Sequence, residues 1–290
     1  ISRSVSHLGE RWGWPALPES GSRFMSALQP LIIDNITPKK QFTFYPYGAT
    51  KYNILDSKKD YKTGFDIYWR PSSNMQLTAT INPDFGNVES DDVIVNLTSF
   101  ETFFPEKRPF FLEGQEIFTT TPRARSKDKR TPTVLVNTRR IGSSPKSLDI
   151  ENLELSKLEK NQPSELKGAV KITGQQGGWR YGILAATEED TKIEGELDGE
   201  EVSLLQSGRN FGAARFLYES TSKNSRKGLG WITTLVSHPQ EDAVVHGIDG
   251  HFLSGDGKWN IDGQALYSDV DDIIGSGGFI DVSYTPKQGL

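Results

Sequence analysis

The stretch that most restricts the fold of this chain is Lys258–Ser268, where apolar and polar residues alternate. One side of the stretch is apolar and has an aromatic residue at each end: Trp259, Ile261, Gly263, Ala265 and Tyr267. The other side is polar except for Leu266, and carries Asn260, Asp262, Gln264 and Ser268. Because successive side chains of a β-strand point to opposite faces, the alternation predicts a strand with one apolar and one polar face.

The length of this apolar face indicates a strand that crosses a membrane. Eight residue steps separate Trp259 from Tyr267, which is about 27 Å at roughly 3.4 Å per residue. With a tilt of about 40°, the two rings differ in height by roughly 21 Å, close to the ~25 Å apolar band of an outer-membrane barrel with its aromatic girdles. The predicted fold class is therefore all-β, a partial antiparallel up-and-down outer-membrane β-barrel.

The composition is compatible with such a protein and excludes several others. The chain has 290 residues, is 35% hydrophobic and has a mean hydropathy of −0.51. No apolar run approaches the roughly 18 residues that a transmembrane helix needs. A net charge of −5 argues against nucleic acid as the main partner. The absence of cysteine excludes disulfides, thiol catalysis and cysteine-ligated metals.

The second half of the chain has the rhythm of β-hairpins. Alternation and turn residues predict seven strands, at Glu165–Thr173, Trp179–Glu188, Ser207–Glu219, Gly228–Ser237, Ala243–Leu253, Lys258–Ser268 and Gly278–Tyr284. Gly255–Gly257 is predicted to be a tight hairpin turn. Glu189–Gln206, which is acidic, and Asp269–Gly277 are predicted to be longer loops.

The first half is less regular. Strands are predicted at Phe42–Tyr52, Lys62–Trp69, Met75–Ile81, Val93–Leu97 and Val134–Arg140. A short amphipathic helix or a loop is predicted at Ser147–Gln162. Between residues 122 and 132 lies a basic, solvated loop with Arg123, Arg125, Lys127, Lys129 and Arg130. This loop is either an ordinary surface feature or a contact for lipopolysaccharide phosphates.

A segment rich in proline and phenylalanine separates the two halves. Pro83, Pro105 and Pro109 exclude a long helix or a central strand. The phenylalanines need a buried location, and charged residues alternate with them: Phe100, Phe103, Phe104, Phe110, Phe111, Phe118, Glu101, Glu106, Lys107, Arg108 and Glu113. We expect this segment to be a plug in the barrel lumen or mouth, or a structure that seals one rim.

Four motifs in this part of the chain resemble one bacterial family: residues 69–71 (WRP), 82–86 (NPDFG), 100–114 (FETFFPEKRPFFLEG) and 139–142 (RRIG). Its members carry a domain like family-nine carbohydrate-binding modules, followed by a domain of unknown function predicted to be an outer-membrane β-barrel. The resemblance implies that residues 1–38 are the end of the carbohydrate-binding-like β-sandwich and a linker. Residues 39–290 are then part of the barrel domain, within a longer protein.

Candidate binding residues come from the family motif and from two tryptophans. The motif residues are Asn82, Asp84, Phe85, Glu101, Phe104, Glu106, Lys107, Arg108, Phe111 and Glu113. Trp12 and Trp14 could stack on sugar rings or belong to a core. No catalytic residue, metal site or cofactor is predicted. His246 and His251 are five residues apart on one strand and so face opposite sides, and the loop with Asp269, Asp271 and Asp272 lacks the glycine and glutamate of a calcium loop.

These observations lead to an expected function with two alternatives. We expect an outer-membrane protein of a Gram-negative envelope that binds or transports glycans or other solutes without catalysis. Its partners would be outer-membrane lipid, lipopolysaccharide and glycan, with protein partners unknown. One alternative is a soluble periplasmic or secreted carbohydrate-binding β-sandwich, whose apolar faces pack on a second sheet. The other is an outer-membrane hydrolase, which needs a serine and a histidine on neighbouring strands facing one side.

Overall fold

The computed structural model describes residues 2–5, 10–13, 39–53, 58–85, 104–121, 134–145, 148, 150–222 and 225–286. Contacts between residues divide the chain into two units, Ile1–Pro38 and Lys39–Leu290. In the first unit, β1 (Ser2–Val5) pairs antiparallel with β2 (Glu10–Gly13). Its origin in a carbohydrate-binding-like domain stays a prediction.

The second unit is built on one antiparallel sheet of ten strands. In their order across the sheet, these are β3 (Gln41–Asn53), β4 (Lys58–Ser72), β5 (Met75–Ile81), β7 (Leu166–Gln176), β8 (Trp179–Glu188), β11 (Asn210–Ser222), β12 (Ser225–His238), β13 (Glu241–Ser254), β14 (Trp259–Val270) and β15 (Ile273–Tyr284). A three-stranded sheet contains β6 (Leu153–Glu154), β9 (Thr191–Leu197) and β10 (Glu200–Gln206). The predicted antiparallel up-and-down order is confirmed. The sheet is open, however, because β3 and β15 are its two edges.

Two predicted loops are strands, and both errors come from turns made by aspartate. Asp271 and Asp272 have φ angles of 50° and 65°, and Val270 pairs with Ile273 across them. A two-residue hairpin turn with positive φ at both central positions is thus enough to connect β14 and β15. Glu189–Gln206 likewise contains β9 and β10, joined at Asp198 and Gly199 with φ angles of 52° and 86°.

One predicted strand is a turn, and the described helices are short. Val134–Arg140 is not a strand, because Asn137 caps a 3-10 turn at Thr138–Arg140 through a hydrogen bond that its side chain accepts from the Arg139 amide. The helices are α1 (Pro109–Leu112) and α2 (Lys157–Asn161), with a further 3-10 turn at Gln115–Phe118. No described helix is long and apolar enough to cross a membrane. The predicted strand Val93–Leu97 lies outside the described residues.

The two faces of the large sheet differ in polarity. On one face, called here the outer face, every strand of the large sheet exposes at least one large apolar side chain. These side chains are Phe42, Phe44, Trp69, Ile81, Val170, Trp179, Ile183, Phe216, Tyr218, Leu229, Trp231, Leu235, Ile248, Phe252, Trp259, Ile261, Tyr267, Ile280, Val282 and Tyr284. On the opposite, inner face, polar side chains are buried: Thr78, Thr80, Lys171, Thr173, Glu188, Arg215, Asp249, Asp262 and Gln264. The alternation predicted for Lys258–Ser268 is confirmed, since Asp262 and Gln264 lie on the inner face.

The main hydrophobic core lies on the inner face of β7, β8 and β11. It joins residues of the proline- and phenylalanine-rich segment to residues of these strands: Phe110, Phe111, Phe118, Ile141, Leu166, Ala169, Leu184, Ala186 and Ala213. Small residues on the strands leave room for the phenylalanine rings. Described residues from the chain between β5 and β7 therefore pack on the face of the same sheet.

Candidate functional site

A plug segment, defined here as the described residues 104–121 and 134–145, lies on the inner face of the sheet. It packs closely on the sheet at Gly182 of β8, where an added Cβ atom would lie 2.8 Å from the Phe118 ring and 2.9 Å from Ile117. At Gly247 of β13, an added Cβ atom would lie 3.0 Å from the Leu135 side chain. Glycines on the inner face thus allow the plug segment to pack directly on the strands.

The centre of the plug segment is a buried ion pair between Glu106 and Arg108. The Arg108 guanidinium donates to both carboxylate oxygens of Glu106, at 2.9 and 2.8 Å. It also donates to the carbonyls of Thr138 and Ile141, each at 2.6 Å, and the Thr138 hydroxyl donates to Glu106 at 2.6 Å. Since these partners lie about thirty residues apart in sequence, the pair joins the two halves of the plug segment.

The surroundings of Glu106 stabilise its ionised form. Burial by itself raises the pKa of this carboxyl, but hydrogen bonds from Arg108 and Thr138 outweigh burial and lower the pKa from 4.5 to about 2. The side chain is 1% exposed. Glu106 is therefore a structural anion, with its oxygens already occupied by protein donors.

A second buried ion pair holds the end of the plug segment on the inner face of the large sheet. Asp249 of β13 accepts two hydrogen bonds from the guanidinium of Arg215 on β11. The same carboxylate accepts from the backbone amide and the hydroxyl of Thr121, at 2.8 and 2.9 Å. Next to it, Gln264 donates to the Thr120 hydroxyl at 3.0 Å. One carboxylate thus connects two strands and the plug segment.

Three more attachments fix the plug segment on other strands, namely β7, β4 and β8. The Lys171 ammonium of β7 donates to the carbonyls of Phe110 and Glu113, and Arg70 of β4 forms an ion pair with Glu113. At the end of β8, Glu188 accepts from the Gly142 amide at 2.8 Å and pairs with Arg209. The plug segment is therefore attached to strands of the large sheet from β4 to β14.

Between β3, β4 and the plug segment lies a cavity of about 800 Å³. Tyr47, Asp66 and Tyr68 line it from the strands, and Asp84, Phe85 and Lys107 line it from the other side. Asp66 accepts a hydrogen bond of 2.6 Å from the Thr80 hydroxyl. The Tyr47 hydroxyl donates to the carbonyl of Asn82 at 2.6 Å, which fixes one wall of the cavity.

The predicted binding residues have different fates in this arrangement. Asp84, Phe85, Glu106 and Lys107 all line the cavity. The other predicted binding residues that the structure describes contact the protein itself. Arg108 pairs with Glu106, and Glu113 pairs with Arg70. Phe111 is in the core, Phe104 is half-buried, and Asn82 is in a turn with a φ of 49°. Glu101 and Trp14 lie outside the described residues, and only the backbone of Trp12 is described, in β2. The basic loop at residues 123–130 also lies outside them.

Sequence reasoning missed the wall residues that hold the plug segment. Lys171, Glu188, Arg215 and Asp249 are charged residues inside apolar strands, and all four are buried on the inner face. A charge in the middle of a predicted strand was the available signal for Arg215, which interrupts the run from Phe211 to Tyr218. The prediction that His246 and His251 face opposite sides of their strand is confirmed. His246 is on the outer face, and His251 is on the inner face next to Glu219.

Several aromatic residues on the outer face pair across neighbouring strands near one rim of the sheet. Three cross-strand pairs lie near the short turns that follow β4, β7 and β13: Phe42 with Trp69, Trp179 with Tyr218, and Trp259 with Tyr284. The ring centroids of the last two pairs are 5.0 and 4.7 Å apart. A second row crosses four strands, with centroid distances of 6.1 to 6.5 Å between neighbours: Phe216, Trp231, His246 and Tyr267.

One family, described as a domain of unknown function (DUF5916), matches residues 38–287. The chain belongs to this family. The DUF5916 domain includes the ten-stranded sheet, the small sheet and the plug segment, because all of them fall within the matched residues. Comparisons with curated proteins and with solved structures gave no match. The family assignment describes the domain without giving it an activity.

The packing of the plug segment on β8 gives a first prediction for the DUF5916 domain. Replacing Gly182 with alanine places a methyl group less than 3 Å from Phe118 and Ile117, and we expect a loss of about 1–3 kcal/mol in the free energy of unfolding. The control is Gly212→Ala, whose Cβ would meet only Leu235, at 3.5 Å; it should be neutral or slightly stabilising. Urea unfolding of both variants measures the difference, and equal effects would contradict the close packing.

Proposed function

We propose that the DUF5916 domain forms part of the wall of a β-barrel in a bacterial outer membrane, with the plug segment inside its lumen. The domain binds or passes polar solutes, including glycans, and does so without bond-breaking chemistry. The observation that carries this proposal is the distribution of polarity, with exposed apolar side chains on the outer face and buried charges on the inner face.

This distribution is the reverse of what a sheet in water needs. A solvated sheet has its apolar face on a core and its polar face toward water. Here Leu229, Ile248 and Ile280 are 63%, 55% and 78% exposed, while Arg215 and Asp249 are 1% and 2% exposed. Lipid contact would remove the outer face from water, and the aromatic pairs near one rim fit an interfacial girdle.

The open edges of the sheet add a requirement. In hydrocarbon, an unpaired backbone N–H or C=O group costs several kcal/mol, so a membrane sheet has to be closed. We therefore propose that further strands pair with β3 and β15 in the membrane form. Strands from the same polypeptide or from a second copy would both satisfy this requirement, and the mass of the detergent-extracted species distinguishes the two.

Membrane fractionation of the intact protein is the experiment that tests the location. We expect sarkosyl-insoluble, detergent-extracted material that migrates faster on a gel when it is not heated. Release by salt or osmotic shock, without a heat shift, would overturn the proposal and favour a soluble saccharide-binding protein. The polar lumen proposed here would then be the interior of a soluble sheet structure.

A single substitution separates lipid contact from water contact at the outer face. Replacing Ile248 with arginine should cost about 2–4 kcal/mol if the residue faces the middle of a bilayer. In water the same change should stay within about 0.5 kcal/mol, since it alters an exposed position. The measurement is urea unfolding from phospholipid vesicles. The control is Leu205→Arg on the small sheet, also exposed at 71%, which should be neutral in either case.

A further inference from the structure

We infer that the cavity between β3, β4 and the plug segment is a binding site for a small organic cation, such as a ligand with a guanidinium or an alkylammonium group. The inference goes beyond the proposed function, because it depends on the lining of this cavity and not on the location of the sheet. It commits to a charge and a chemical class, which the proposed binding of polar solutes leaves open.

The first support is the size and the chemical character of the cavity. A volume of about 800 Å³ is in the range of small-molecule sites, which are roughly 300–1,000 Å³. Aromatic rings and a carboxylate meet on one wall, where Asp66 lies between Tyr47 and Tyr68 on adjacent strands. The face of an aromatic ring attracts a cation, and a nearby carboxylate adds an ion pair.

The second support is the charge of this wall. Asp66 is half-buried and accepts a hydrogen bond from Thr80, and within the described ranges no cation lies at ion-pair distance from it. Arg70 on the same strand is paired with Glu113, and the charge of Glu106 is balanced by Arg108. The other charged residues of the lining are Asp84 and Lys107 on the opposite side. With Glu106 balanced by Arg108, the two aspartates outnumber the one lysine, and the lining is net negative.

The third support is that two of the protein's own cations lie against aromatic rings that line this cavity, Phe85 and Phe110. The Arg108 guanidinium lies 5.2 Å from the Phe85 ring centroid and 4.2 Å from that of Phe111, while it pairs with Glu106. Lys171 lies 5.1 Å from the Phe110 ring centroid. Cation–aromatic contacts thus already occur at two rings of the lining, and Tyr47, Tyr68 and Asp66 offer a ligand cation a contact of the same kind.

The test is calorimetric titration of the intact protein in detergent with defined probes. Argininamide should bind more tightly than citrullinamide, which has the same shape but a neutral side chain. The affinity for argininamide should fall as salt is added, because the interaction is ionic. Cellobiose and glutamate serve as the neutral polyol and the anion, and both should bind more weakly than argininamide.

Two matched variants locate the site. Asp66→Asn keeps the shape of the side chain and its hydrogen bond from Thr80, and we expect it to weaken argininamide binding about tenfold, as the loss of one ionic contact of ~1.4 kcal/mol does. Glu200→Gln removes an exposed carboxylate on the small sheet and should leave the affinity unchanged. Equal binding of argininamide and citrullinamide, tighter binding of cellobiose, or an unchanged affinity in Asp66→Asn would each overturn the inference, whatever fractionation shows about the membrane.

Discussion

Replacing Asp249 with alanine is expected to lower the free energy of unfolding by about 3–5 kcal/mol, because it leaves the Arg215 guanidinium buried without a counter-charge. Both side chains of the pair are 1% exposed. The Nε atom of Arg215 is already buried without a hydrogen-bond partner among the described residues. The guanidinium therefore depends on Asp249 for its charge compensation.

The substitution should also release the end of the plug segment. The Thr121 amide donates to Asp249 at 2.8 Å, and its hydrogen exchange should become much faster in Asp249→Ala. The amides of the 3-10 turn at Gln115–Phe118, which packs on β8 through contacts that do not involve Asp249, should change less. A uniform increase along the plug segment would indicate global loosening and contradict a local attachment.

Two controls distinguish the buried pair from an ordinary ion pair. Lys192→Ala removes an exposed pair with Glu194, whose side chains are 64% and 57% exposed, and should cost less than about 1 kcal/mol. In the double variant Arg215→Met with Asp249→Leu, both buried charges are removed, and most of the lost stability should return. If the double variant were as unstable as Asp249→Ala, loss of the contact with Thr121 would explain the cost better than the unpaired charge.

The surroundings of Asp249 also show what could and could not be predicted from the sequence. Local alternation is a property of consecutive residues, and it correctly gave the two faces of β14 and the hairpin at Gly255–Gly257. The contact between Thr121 and Asp249 joins residues 128 apart. No local pattern specifies which part of the plug segment meets which strand, since that depends on how the whole segment folds onto the sheet.

The errors in secondary structure have a related cause. The connection at Asp271 and Asp272 resembles a loop because both residues are polar and lie close to several glycines. In the structure, both aspartates adopt the positive φ that a two-residue turn needs. The sequence pattern likewise did not predict that the sheet is open, because alternation defines the faces of strands and not the pairing of the edges.

The family motif correctly identified residues that lie together in the plug segment, but it did not predict what each of them contacts. Glu106 and Arg108 were identified as candidate binding residues, and the structure brings them together with Asp84, Phe85 and Lys107 around one region. No sequence pattern predicted that Thr138 and Ile141 complete the hydrogen bonding of this pair. A charged pair whose hydrogen bonds are made within the protein stabilises the fold, and this leaves ligand contact to the residues around it.

The ionisation of Glu106 predicts that the protein loses stability in acid. Its pKa is about 2 in the folded protein against the ordinary 4.5, so the unfolded chain binds a proton more readily than the folded one. Stability from this residue is fully present above pH 4.5 and is lost as the pH falls toward 2. A difference of this size corresponds to about 3 kcal/mol, and urea unfolding between pH 7 and pH 2.5 measures it.

The variant Glu106→Gln isolates this contribution from that of other carboxylates. Its amide cannot ionise, so the variant should be less stable than the native chain at pH 7, where Arg108 stays buried without a counter-charge. The stability difference between the two proteins should then shrink as the pH falls below 4.5, because the native chain gradually loses the same interaction. Glu200→Gln, with an exposed side chain, should follow the native curve throughout. A constant difference between Glu106→Gln and the native chain from pH 7 to pH 2.5 would show that Glu106 does not stabilise the plug segment as an anion.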